Sequence, residues 1–208
     1  DVGASYNYSI GNAYYVDATE TDQGVAGDGR TIYDIIDEVG TSESATLVFN
    51  HTGSGNTTTY TVSTNETITD NFAVVMEPGA ILSIDSGVTL TIQAAFKAGL
   101  HQCFSGSGSV NLAGSMIPYA VPHWFDADPY TNGFESINKA LKAIINTSTN
   151  YNHQELFLPA GDYTIDTNGV FSDVSTTLKL GLKVRGAGWN NTRLVLSPSG
   201  TDLWFYEN

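Results

Sequence analysis

Cysteine is nearly missing from this chain: Cys103 stands alone among 208 residues. No intrachain disulfide can form, so stability has to come from packing and hydrogen-bond ladders. Basic residues are scarce as well. Eight Lys and Arg stand against 22 Asp and Glu, a formal net charge of -14, and they are scattered along the chain. Phosphate binding needs clustered cations, so a nucleic-acid partner is not expected. An acidic surface keeps a protein soluble and repels anionic membranes, which excludes partners without naming one. No apolar run approaches the roughly 20 residues that cross a bilayer, so no membrane insertion is expected, and no secretory apolar segment opens the chain. The chain begins at Asp1 and stops just after the strand-like run Leu203-Trp204-Phe205-Tyr206. The expectation is a processed chain or a fragment, with sequence missing at its C-terminal end.

What is present favours strands. At 41% hydrophobic residues the chain can build one sizeable core or two small ones. Glycine, tyrosine and abundant Thr, Ser and Asn suit pleated surfaces and turns better than helices, which predicts a mainly β fold. An internal duplication organises the chain when the segment near Asp17-Ala18 is laid over that near Asp126-Ala127. Each copy leads into a short amphipathic helix. In the first, Thr31 and Asp34 are spaced as a capping box, with Ile32, Ile35, Ile36 and Val39 on one face. In the second, Asn132 and Glu135 take the capping positions, and Phe134, Ile137, Leu141, Ile144 and Ile145 form the stripe beside the small Ala140.

Short strands follow each helix: Leu47-Val48-Phe49 or Leu156-Phe157-Leu158, then alternation around Tyr60 and Val62 or Tyr163 and Ile165. Further strands are expected at Ala73 to Met76 and Leu182 to Arg185, leading to Ala80-Ile81-Leu82 and Leu194-Val195-Leu196. Val88, Leu90 and Ile92, then Val110 and Leu112, repeat the period of two on either side of the flexible run Ser105-Gly106-Ser107-Gly108. A unit of this kind cannot bury its apolar face alone and must stack on neighbours. A β-sandwich would produce similar short strands, but the duplicated capping helices favour a parallel β-helix in which Leu156, Leu158 and Val184 share one interior.

The order Val121-Pro122-His123-Trp124-Phe125-Asp126-Ala127-Asp128, a helix from Phe134, Leu156 through Ile165, and Val184-Arg185-Gly186-Ala187-Gly188 resembles the opening of pectate-lyase-superfamily β-helix domains, as used in phage tail spikes. The first copy, from Tyr15-Val16-Asp17-Ala18 through Gly27-Asp28-Gly29-Arg30-Thr31 to Glu77-Pro78-Gly79-Ala80, resembles sequence preceding such domains. The resemblance implies a right-handed parallel β-helix with capping α-helices, a homotrimer, and a virion or extracellular location. It divides the chain into an N-terminal arm (1–14), a first cap and β-rich domain (15–118) and the start of a second β-helix domain (119–208). Family members usually place Asp-Gly and paired acids before the helix, whereas Asp128 here precedes Pro129-Tyr130-Thr131-Asn132-Gly133. The family contains lyases, hydrolases, epimerases and inactive adhesive members, so the fold does not fix a reaction.

No catalytic residue, metal site or cofactor is assigned. Asp126 and Asp128, two apart, could share a cation or divide acid and base roles, but they read as turn residues at a helix start, as do Asp162, Asp166 and Asp173. Arg185 has no acidic neighbours in sequence to make a lyase site. His101 and Cys103 alternate as two ligands would, yet zinc needs three or four. His51, His123 and His153 lie near turns and read as structural. Tyr6, Tyr8, Tyr14 and Tyr15, with Trp204, Phe205 and Tyr206, could stack on sugars but read as core or subunit interface. Asn7, Asn50, Asn56, Asn65, Asn146 and Asn190 each head an Asn-x-Ser/Thr triplet, a possible N-glycosylation site only in a cell with that machinery. The resulting expectation is the structural, host-attachment part of a tail spike or fibre, bound to other virion subunits and presenting a β-helix to a surface polysaccharide. Two alternatives stand beside it: a secreted polysaccharide lyase or hydrolase with its active site outside this segment, and a subunit of a non-viral filament or adhesin.

Overall fold

The computed structural model describes residues 12–27, 29–145, 155–165 and 183–196. β1 (Ala13–Tyr15) runs through a loop into α1 (Ile32–Val39). Thr31 caps this helix as its spacing predicts: its Oγ1 accepts from Asp34 N at 3.0 Å, and the Asp34 carboxylate accepts from Thr31 N at 3.1 Å. Ile32 and Ile35 are fully buried, while Ile36 and Val39 pack partly buried against the same core.

Three triplets of strands follow. The first is β2 (Ala45–Phe49), β3 (Thr58–Val62) and β4 (Glu66–Ile68); the second is β5 (Phe72–Met76), β6 (Ala80–Ile84) and β7 (Thr89–Ile92); the third is β8 (Ala95–Ala98), β9 (Phe104–Gly106) and β10 (Ser109–Leu112). Each triplet gives one strand to each of three sheets, in the orders β1-β2-β5-β8, β3-β6-β9 and β4-β7-β10. All pairings are parallel. Thr58 pairs with Ala80, Leu82 with Phe104 and Ala73 with Ala95, each a step of 22 residues. Because a parallel strand puts equivalent residues side by side about 4.8 Å apart, inward side chains form stacked rows. Tyr60, Leu82 and Phe104 make one row, Leu47, Val74 and Phe96 another, and Ile68, Ile92 and Leu112 a third. Each fully buried Leu, Ile or Phe in such a row contributes roughly 1.5–3 kcal/mol.

The strand–helix–strand opening then recurs. β11 (Tyr119–Ala120) passes through a 3-10 turn (Pro122–Trp124) to α2 (Gly133–Ile145), and β12 (Glu155–Leu158) returns parallel to β11 just as β2 returns to β1. β13 (Gly161–Ile165), β14 (Lys183–Gly186) and β15 (Thr192–Leu196) complete a β11-β12-β14 sheet and a β13-β15 pair. The architecture is therefore mainly β, with stacked parallel sheets in repeating register and two helices. Asn132 does not act in the expected box with Glu135. Its side-chain amide donates to the Asp126 carboxylate at 3.1 and 3.3 Å, and Ser136 Oγ donates to Pro129 O and Gly133 O inside the first turn.

One core runs through both units. The Trp124 ring meets Phe96 edge-on at 4.9 Å, its Nε1 donates to Gly99 O, and Phe125 lies 5.2 Å from Phe104, so the second unit's entry segment covers the last strands of the first. Leu156 and Leu158 are buried as expected, but Val184 is 57% exposed. It stands in register with Leu156 on β14, the outermost strand of its sheet among the described residues. Leu182, Asp166, Asp173, His153, the aromatics Tyr6, Tyr8, Trp204, Phe205 and Tyr206, and Asn7 and Asn146 lie outside the described residues. Among the described residues no helix is long and apolar enough to cross a membrane.

Candidate functional site

Alternation that fills the interior leaves every second residue facing out. On the second sheet Thr61, Ser83 and Ser105 line up in register. On the third, Thr67, Thr91 and Asn111 do the same, with Thr89 beside Ser109. These rows are at least partly exposed and offer hydroxyl groups at the strand spacing, while the Asn111 side-chain oxygen is buried without a partner. Glu66 interrupts the pattern, since it pairs with the buried Leu90, and burial pushes its carboxyl above the usual range.

The residues singled out in the sequence mostly hold turns. Asp126 Oδ1 accepts from Asp128 N at 2.8 Å, and Asp128 accepts from Thr131 N, whose bonds hold that carboxyl below its ordinary value. Asp162 bonds to Arg193, its partner in the β13-β15 register, and the guanidinium lowers the acid's pKa. His51 clamps the Asn50–Asn56 turn through Thr58 Oγ1 at 2.9 Å and Gly55 O at 3.0 Å. His101 and Cys103 do not come together as ligands: Cys103 donates its thiol hydrogen to His101 O, and burial raises the thiol pKa and lowers that of His101. Among the described residues no three of His, Cys, Asp and Glu are grouped to hold a metal ion. Of the sequons, Asn56 and Asn190 are exposed, Asn65 Oδ1 accepts from Thr89 N, and the backbone of Asn50 bonds the Tyr60 hydroxyl.

Two groupings were not legible in the sequence. Parallel register sets Glu155 opposite Lys183, and the carboxylate takes bonds from Lys183 Nζ at 2.8 Å and Arg185 Nε at 2.5 Å, with the guanidinium 4.3 Å over the Phe157 ring. Nearby Trp189 is 92% exposed beside Arg193 and Asn190 in a shallow hollow. The other grouping is a cleft of about 280 Å³ between the β9–β10 turn and α2. Ser105, Gly106, Ser107, Gly108 and Ser109 form one wall, Lys139 and Lys142 the other, and the buried rings of Phe104 and Phe125 the floor. Ser105 and Ser109 are also the last members of their outward rows.

No family model matches the chain, and no solved structure matches it. It is similar to the curated protein "Depolymerase 1, capsule K3-specific" of Klebsiella phage KP32, with 32% identity over 79 residues. That stretch is 36% of this chain and spans 9% of the phage protein's length.

Proposed function

We propose that this chain is the structural, host-attachment part of a phage tail spike or fibre, wound as a right-handed parallel β-helix of the pectate-lyase type. It assembles as a homotrimer and presents its outward polar rows to a capsular polysaccharide. The observation that carries this reading is the partial likeness to a phage capsule depolymerase in a chain built of stacked parallel sheets. The three sheets visited in strict rotation support the winding, and the Thr and Ser rows supply a ladder of donors and acceptors suited to sugar hydroxyls. The test is light scattering on the purified chain together with binding to immobilised capsular polysaccharide. A trimer that retains polysaccharide is expected; a stable monomer that retains none ends the reading.

The relative's description favours a second reading, in which the longer parent is a polysaccharide lyase or hydrolase whose active carboxylates lie outside this segment. Incubation of the parent with capsular polysaccharide discriminates: new reducing ends or unsaturated uronates establish cleavage, and intact polymer on a bound protein establishes attachment alone.

A further inference from the structure

We propose that the joint between the two units is an acid-sensitive catch, in which proton uptake by His101 and His123 unseats the two segments that Trp124 ties together and lets the second unit move on the first. Trp124 is pinned twice to the β8–β9 connection: its Nε1 donates to Gly99 O at 2.9 Å, and its carbonyl accepts from Cys103 N at 2.9 Å. Each side of that pair of bonds carries a histidine beside the pinned atoms. His101 lies between Gly99 and Cys103, and His123 directly precedes Trp124. The inference goes beyond the attachment reading and does not need it.

Both rings are seated with one nitrogen facing no acceptor. The His101 ring bonds the Met76 backbone on β5, and its Nε2 is buried without a partner. His123 meets the Tyr130 hydroxyl through Nε2 at 3.1 Å and the Tyr163 ring edge-on, and its Nδ1 is likewise buried and unpartnered. The charged residues of the elements packed around them are Glu77 and Lys97 for His101, and Glu135, Lys139, Lys142 and Asp162 for His123. None of these supplies either ring with a counter-charge: burial is the leading cause that lowers both pKa values, opposed only by the Met76 bond at His101. An imidazolium carries two N–H donors, so the proton that each ring gains meets no acceptor while the joint is closed. Once its segment is unseated, the ring reaches water and takes up the proton near its ordinary value. Acid therefore favours the open joint. His51 lacks this property, since Thr58 Oγ1 and Gly55 O occupy both of its nitrogens.

Hydrogen exchange on the full chain at about pH 7.5 and about pH 5, with each rate normalised to its intrinsic chemical rate, tests the catch. The Cys103 amide bonds Trp124 O, and the Trp124 and Phe125 amides hold the 3-10 turn. Their opening constants should rise about tenfold or more in acid, within a ceiling of about thirtyfold per histidine set by an ordinary pKa in the open state. The amides of Ala80–Ile84 and Thr89–Ile92 should keep their protection. His101→Gln and His123→Gln should each remove part of the rise, and H101Q/H123Q all of it, while His51→Gln leaves it unchanged. The single variants keep the test decisive where the double variant does not fold. An equal loss of protection in the middle triplet, no rise in the wild-type chain, or an undiminished rise in the folded single variants would each overturn the proposal.

Discussion

At His123 burial works against charge. The ring is 8% exposed, Nε2 lies 3.1 Å from the Tyr130 hydroxyl, and that hydroxyl gives its single proton to Ala160 O. Nε2 must then carry the ring hydrogen, and Nδ1 is left buried without a partner. Burial accordingly lowers the His123 pKa below its ordinary 6.5. As the pH falls, the unfolded chain takes up a proton before the folded one does. The contribution to stability is complete above the unfolded value and is lost as the pH drops through it toward the folded value. Thermal melts from about pH 8 to about pH 5 should show a falling Tm, and His123→Gln should reduce the slope, with the residue of it due to the likewise lowered His101. Glu66 has the opposite sign: its raised pKa gives a contribution present below the unfolded value and lost as the pH rises through the folded one. Glu66→Gln should therefore raise Tm at neutral pH and leave it little changed in acid. His123 was readable as a structural histidine near a turn, but its partners were not, and nothing in the sequence marked Glu66. Arg185 looks isolated in sequence because Glu155 is supplied by strand register across a long connection, which spacing does not encode.

Elements differ in how far local sequence specifies them. α1 was legible to its cap because the Thr31–Asp34 bonds are made within one turn. The cap of α2 was misjudged because Asp126, six residues upstream, competes for the Asn132 amide. β3, β7 and β10 declare themselves by alternation and β5 and β6 by short apolar runs, whereas β1, β8 and β11 are short or lack either pattern and owe their state to a partner strand already in place. The contact between α2 and β13 was invisible to pattern. A Cβ on Gly133 would lie 2.5 Å from Thr164 O and 2.8 Å from Thr164 N, both backbone atoms that cannot turn aside. Gly133→Ala should cost roughly 1–3 kcal/mol as overpacking, read as a lowered urea midpoint with unchanged m-value. Leu82→Ala, in the middle of a buried row, should cost about 2–5 kcal/mol through the cavity it leaves.

Across the whole molecule, stability is expected to be graded. The strands of the middle triplet are paired on both sides in all three sheets, whereas β14 and β15 stand at sheet edges among the described residues. Native-state hydrogen exchange should find the slowest amides in Phe72–Met76, Ala80–Ile84 and Thr89–Ile92, and faster exchange by about a factor of ten or more in Lys183–Gly186. The mainly β class with stacked strands was legible because the helix-then-strands unit is written twice into the chain. The cleft was not, since it depends on which units end up adjacent. The step of 22 residues that relates β3 to β6, β6 to β9 and β5 to β8 has one more consequence, for heredity. Recombination that gains or loses one whole step keeps every remaining apolar residue in phase, while a slip by a single codon turns a row inside out. Length thereby becomes a trait that lineages can vary freely, without a new interior having to be invented.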